Sequence, residues 1–224
     1  MRSRLAVTRI RGRVTRAVAL CATAGLALAS CGLGGDATEE PTASPTPTST
    51  VSIPPAVELS EPGSDLSFGD SATVIFEPDQ KTGTVLELTV DKVTKGTTKD
   101  FSGFILDDYT KAATPYYAEV SVTNVGEGDV GHWAVPLWGV DAEDTLLPAA
   151  SFTTNFPKCE SEALPPKFES DDTFETCLVY LAPRGGTLEA VSFRPVQEFD
   201  PIAWTGEIAI PAPTPTKKPT KSKK

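Results

Sequence analysis

The chain has a single histidine, His132 in "VGHWAVPLW", and so lacks the raw material of most hydrolytic and metal chemistry. A Ser-His-Asp triad, a zinc centre or a Cys-His pair would each have to draw on that one imidazole. No G-x-S-x-G occurs, and no glycine-rich phosphate loop; "RGG" at Arg184 to Gly186 reads as a turn between strands, not the entry to a helix. No segment offers twelve residues of helical spacing, and the main apolar run, "AVALCATAGLALA", is too short for a comfortable membrane span. Cysteine is sparse, at four residues. These absences leave no expected catalytic residue, no cofactor and no metal.

What the chain does have is sharply zoned. "MRSRLAVTRIRGRVTR" carries six arginines and no acid, and the apolar run follows it directly, the pattern of a signal peptide over residues 1–30. Next stands Leu28-Ala29-Ser30-Cys31, which resembles the lipobox of bacterial lipoproteins. The resemblance implies cleavage before Cys31, diacylglycerol on its thiol, and a mature protein held at the extracytoplasmic face of the cell membrane. The competing reading is an ordinary secretory signal whose small residues mimic a cleavage site. With residues 1–30 removed, six of twenty basic residues go and none of the thirty acidic ones, leaving a net charge of -16. Nucleic acid is therefore excluded as a partner. Cys21 leaves with the signal and Cys31 takes lipid, so Cys159 and Cys177 remain, and two cysteines in an exported domain imply a disulfide.

Residues 31–58 are rich in threonine and proline, with no apolar periodicity, and read as a disordered tether reaching about 30 Å. Residues 211–224, with five lysines, read as a disordered tail: a solubilising end, or a contact for anionic lipid or wall polymer. Between them, 59–210 has period two. Leu86, Leu88 and Val90 alternate with Glu87, Thr89 and Asp91; Tyr116, Ala118, Val120 and Val122 alternate with Tyr117, Glu119, Ser121 and Thr123, and that strand ends in a turn at Asn124 and Gly126. Further runs at "SATVIFEP", "PLWGVDAEDTLLPA", "TFETCLVYLAP", "TLEAVSFRP" and "IAWTGEIAI" give about seven short strands, which predicts an all-β antiparallel sandwich.

The order "YYAEVSVTNVGEGDV", "LWGVDAEDTLLPA", "LPPKF", "CLVYLAPRGG", "VSFRP" and a late tryptophan resembles the immunoglobulin-like extracellular domain of unknown function in many Gram-positive, especially actinobacterial, lipoproteins. It covers Ser71 to Ile210. The resemblance implies a sandwich at the cell surface and no particular reaction.

The remaining chemistry is carried by loops and acids. Trp133 and Trp138 read first as core packing and second as aromatics for sugar or peptide binding. "GEGDVGHWAVP" (Gly126 to Pro136), with His132 and Trp133, is the expected contact loop, joined by the loop that Cys159–Cys177 would staple. Asp141, Glu143 and Asp144; Asp107 and Asp108; and Glu169, Asp171 and Asp172 are acid groups that calcium would favour, yet none has calcium-loop spacing. The expected function is a non-enzymatic binding or envelope-interaction module, its partner a surface protein or cell-wall polymer. The alternative is a solute- or metal-binding accessory lipoprotein of a transporter.

Overall fold

A computed structural model describes residues 51–211. The signal segment, Cys31 and the tail beyond Pro211 lie outside the described residues. Val51 to Glu58, read above as the end of the tether, are described: Val57 N–H donates to the Pro54 carbonyl, and Ser60 N–H to that of Thr73.

The alternating apolar residues become the facing walls of two sheets. One has four strands in the order β2 (Ser71–Phe76), β3 (Thr84–Lys95), β4 (Thr114–Asn124) and β7 (Thr173–Ala182), all antiparallel. The other has five, ordered β1 (Asp65–Ser67), β9 (Ile202–Thr205), β8 (Leu188–Phe193), β5 (Trp138–Asp141) and β6 (Leu146–Leu147). Its pairs are antiparallel except β1 with β9, which run parallel. The protein is thus the expected all-β, immunoglobulin-like sandwich. β8 lies between β9 and β5 as the F strand lies between G and C, and β3–β4 is the central pair of the opposite sheet. "PLWGVDAEDTLLPA" is a hairpin of two short strands, because Asp141 to Thr145 turn the chain back; β1, three residues long, is too short to display alternation.

In β3 a bulge between Val90 and Lys92 inserts one residue, so the buried positions switch from even numbers (Leu86, Leu88, Val90) to odd (Val93). The core between the sheets contains Leu86, Leu88, Val120, Tyr116, Tyr180, Phe193, Ile202 and Trp204. Trp204 is fully buried, and its indole N–H donates to the Asp70 carbonyl at 2.8 Å. The Tyr180 hydroxyl donates to the Leu137 carbonyl at 3.2 Å, and burial pushes its phenol pKa up.

Tyr117, expected on the wet face of β4, is buried at 4 % exposure. The connections that lead into β4 and into β7 fold over the outer face of those strands and build a second apolar cluster from Phe101, Phe104, Phe152 and Phe156 around Tyr117 and Val179. Phe101 stacks on Phe156 at 4.9 Å between centroids, and Phe152 on Phe156 at 5.0 Å; Phe104 meets Phe152 and Phe156 edge-on. The Cys159–Cys177 disulfide lies in this cluster, with Cα atoms 5.1 Å apart. At the cluster's edge the Tyr117 hydroxyl donates to Asp100 at 2.9 Å and Lys158 pairs with the same carboxylate at 2.8 Å. Burial opposes the charge on Asp100, but hydrogen bonds from Lys158, the Thr97 N–H and Tyr117 outweigh it and hold its pKa below the ordinary value. Burial, then the Asp100 carboxylate, push the Tyr117 phenol up.

Candidate functional site

The turn after β4 fixes the position of the expected contact loop. Asn124 is fully buried, and each end of its amide is used. Its Oδ1 accepts from Thr84 Oγ1 at 2.7 Å and from the Gly126 N–H at 3.1 Å; its Nδ2 donates to the carbonyls of Gly128 and Phe168 at 2.7 and 2.8 Å. A buried amide without these partners would cost about 1–3 kcal/mol, so the turn and the Phe168 segment are locked together. A Cβ on Gly128 would run into the Gly83 carbonyl, which is why that position carries no side chain.

From this anchor the two candidate loops run side by side. Val130 N–H donates to the Phe168 carbonyl, His132 N–H to those of Leu164 and Pro165, and Leu164 N–H to that of Trp133 at 2.9 Å. Asp129 accepts the N–H groups of Phe168 at 3.0 Å and Gly131 at 2.9 Å. These two bonds, Phe168 first, hold its carboxyl below the ordinary value. Gly126 to Pro136 and the disulfide-linked loop therefore form one surface at one end of the sandwich.

His132 sits on this surface with φ +67° and an exposed side chain. Its backbone is engaged by Leu164 and Pro165, and that accounts for the unusual φ; no acid, thiol or hydroxyl is hydrogen-bonded to its ring among the described residues. Trp133 and Trp138 are not core residues, contrary to the first reading: each is 37 % exposed. The core indole is Trp204. Trp138 opens β5 with its side chain on the outer face, opposite Ser192 of β8, because the next residue, Gly139, points inward against Tyr180.

The two exposed indoles flank a cleft of about 390 Å³ whose walls are largely apolar: Pro136, Leu137, Pro148 and Pro78 besides the tryptophans, with Glu77 and Arg194 as its charged members. Arg194 follows β8, donates from Nη2 to the Gln197 carbonyl at 2.5 Å, and has a buried Nε without a partner. The Ser192 hydroxyl, two residues earlier on the same face, is likewise buried without a partner. Arg194, Pro148 and Pro78 are cleft residues that the sequence reading missed. Their signals, an "FRP" after a strand and prolines closing two others, are those of any strand end.

The acid groups have other employment. Asp141 accepts the N–H groups of Glu143 and Thr145, both at 2.9 Å; Asp107 accepts that of Thr110 at 2.8 Å; and Asp172 that of Glu169 at 2.7 Å. Among the described residues no three His, Cys, Asp or Glu side chains gather as metal ligands would. A second, polar groove of about 580 Å³ runs along the outer face of β3, β4 and β7 beside the disulfide, lined by Asp91, Glu119, Glu160 and Glu175. Lys92 pairs with Glu119 there at 2.9 Å, and Ser121 donates to Asp91. No helix among the described residues is long and apolar enough to cross a membrane.

No family model and no curated protein matches the chain. Among solved structures it is similar to MPT63, a secreted protein from Mycobacterium tuberculosis, at 12 % identity and a TM-score of 0.45, over 63 % of this chain and 96 % of that one. The fold follows from the strand order and register.

Proposed function

We propose that this chain is a lipid-anchored cell-surface lipoprotein whose sandwich is a binding module without chemistry of its own, engaging a surface protein or cell-wall polymer through the tryptophan cleft. One observation carries the reading: two large aromatic side chains left half-exposed on either side of an apolar cleft, on a surface that Asn124 and Asp129 hold rigid. Exposed indoles are costly to leave in water and are the side chains that most often dominate binding energy. Support for an exported location comes from the signal and lipobox residues and from a disulfide, which persists in oxidising compartments. The transporter-accessory alternative draws on the acid groups, and one carboxylate of each, Asp141, Asp107 and Asp172, is committed to backbone N–H groups.

Two measurements test the parts separately. Cys31→Ala is expected to abolish processing and the partition of the mature protein into a detergent phase; unchanged size and partition reject the anchor. Cross-linking on intact cells is expected to capture a partner with the native chain and to lose it with Trp133→Ala plus Trp138→Ala at unchanged melting temperature. Equal capture by the double variant rejects the cleft.

A further inference from the structure

The tryptophan cleft is selective about hydrogen bonding, because the polar side chains left free in its walls are all donors. Pro78, Pro136, Pro148 and Pro195 contribute flat rings and no N–H. The carbonyls of Trp133, Val135 and Leu137 already accept from the Leu164 N–H, the Leu137 N–H and the Tyr180 hydroxyl. Glu77, the acid of the cleft, is itself engaged. What is left is the pair of indole N–H groups on Trp133 and Trp138, which donate to no acceptor among the described residues, and the guanidinium of Arg194.

Arg194 is short of acceptors. Nη2 donates to the Gln197 carbonyl, Nε is buried without a partner, and no carboxylate pairs with the group among the described residues. A positive charge in a largely apolar wall calls for an anion, and a carboxylate is the planar one whose geometry a guanidinium matches.

An oligoproline segment meets the remaining terms. Each proline has a carbonyl and no N–H, the polyproline helix makes no internal hydrogen bonds, and its rings pack on aromatic faces with little entropy left to lose. A sugar chain fits less well: every hydroxyl it buried would bring a donor as well as an acceptor, to walls whose free polar side chains are donors themselves. We propose that the cleft takes a proline-rich segment of a partner surface protein in the polyproline conformation. Its prolines lie across Trp133 and Trp138, its carbonyls accept from the two indole N–H groups, and a neighbouring acidic side chain pairs with Arg194. This rests on the binding role of the cleft and names which of the two partners, protein or wall polymer, it recognises.

The exported chain in detergent is titrated with three probes: a ten-residue oligoproline with one central glutamate, the same peptide with glutamine in that place, and a β-linked tetramer of N-acetylglucosamine. The chain has three tryptophans and Trp204 is fully buried, so a change in emission reports Trp133 and Trp138. The glutamate peptide is expected to bind about tenfold more tightly than the glutamine peptide, the worth of one charge-assisted pair. Arg194→Gln is expected to erase that difference and leave the affinity of the glutamine peptide unchanged, which loss of folding would not do. Trp138→Phe keeps an aromatic face but removes an indole N–H, and is expected to weaken both peptides about fivefold. Equal affinity of the two peptides for the native chain overturns the proposal, as does a difference that survives Arg194→Gln, or binding of the sugar tetramer in preference to both peptides. Failure of both peptides to bind overturns it too, and leaves the binding role of the cleft intact as long as capture on cells depends on Trp133 and Trp138.

Discussion

The sheet of β2, β3, β4 and β7 has two faces, and each is apolar by a different route. Its inner face is made by strands packing on strands, with Leu86, Leu88, Val120 and Tyr180 against Phe193, Ile202 and Trp204. Part of its outer face is covered by loops, in which four phenylalanines and a disulfide collect over Tyr117 and Val179. The rest of that outer face stays wet and acidic. The inner core defines the fold; the outer cluster immobilises connections that would otherwise be loose. The two should therefore fail differently.

The largest effect is expected from Trp204→Ala, which empties the centre of the inner core and removes the bond to Asp70. A loss of about 4 kcal/mol is expected, with the whole domain unfolding in one transition in a denaturant melt. Breaking the outer cluster with Cys159→Ser plus Cys177→Ser, or by reduction, is expected to cost about 3 kcal/mol, the value for a loop of this length. Hydrogen exchange distinguishes the two lesions: protection should be lost around Phe101, Phe152 and Phe156 while β3 and β8 keep theirs. Equal loss of protection in both regions would mean that the cluster is part of one cooperative core.

Smaller still is Tyr117→Phe, which keeps the ring but removes the donor to Asp100 and should cost about 1 kcal/mol. The pH series is the finest probe. Asp129 has a folded-state pKa lowered from an ordinary value of 3.8, so its contribution is present above that value and lost as pH falls through the lowered one. Exchange at the Gly131 and Phe168 amides is expected to rise first as the solution is acidified below about pH 4. In Asp129→Asn those amides should show no such acid-dependent step. Asp100, bonded to Tyr117 near the start of β4 whereas Asp129 follows that strand's end, has the same sign, which makes the two loop systems separable by amide.

The inner core was legible because burial there follows the chain: Leu86, Leu88, Val90 and Tyr116, Ala118, Val120 keep period two in sequence, and the strands inherit it. The cysteine pairing was legible for a simpler reason, since only two cysteines fall within residues 59–210. The outer cluster was not, because Phe101, Phe104, Phe152 and Phe156 come from loops without period, and nothing local tells Tyr117 that it will be covered. The same gap misassigned Trp133 and Trp138. A tryptophan's burial depends on which distant segments cross it, and Pro78, Pro148 and Arg194 approach from three separate strand ends. The contact between Gly126–Pro136 and the stapled loop was likewise invisible until Asn124 was seen to bind Phe168, forty-four residues away.

The parallel pairing of β1 with β9 has a mechanical consequence. These are the first and last strands of the domain, and running them in one direction puts the entering end of one and the leaving end of the other at opposite ends of the pair. A chain pulled by its two termini therefore slides β1 along β9, straining their ladder bonds together, where an antiparallel pair would peel open one bond at a time. The domain should resist tension between its termini better than its three paired residues suggest.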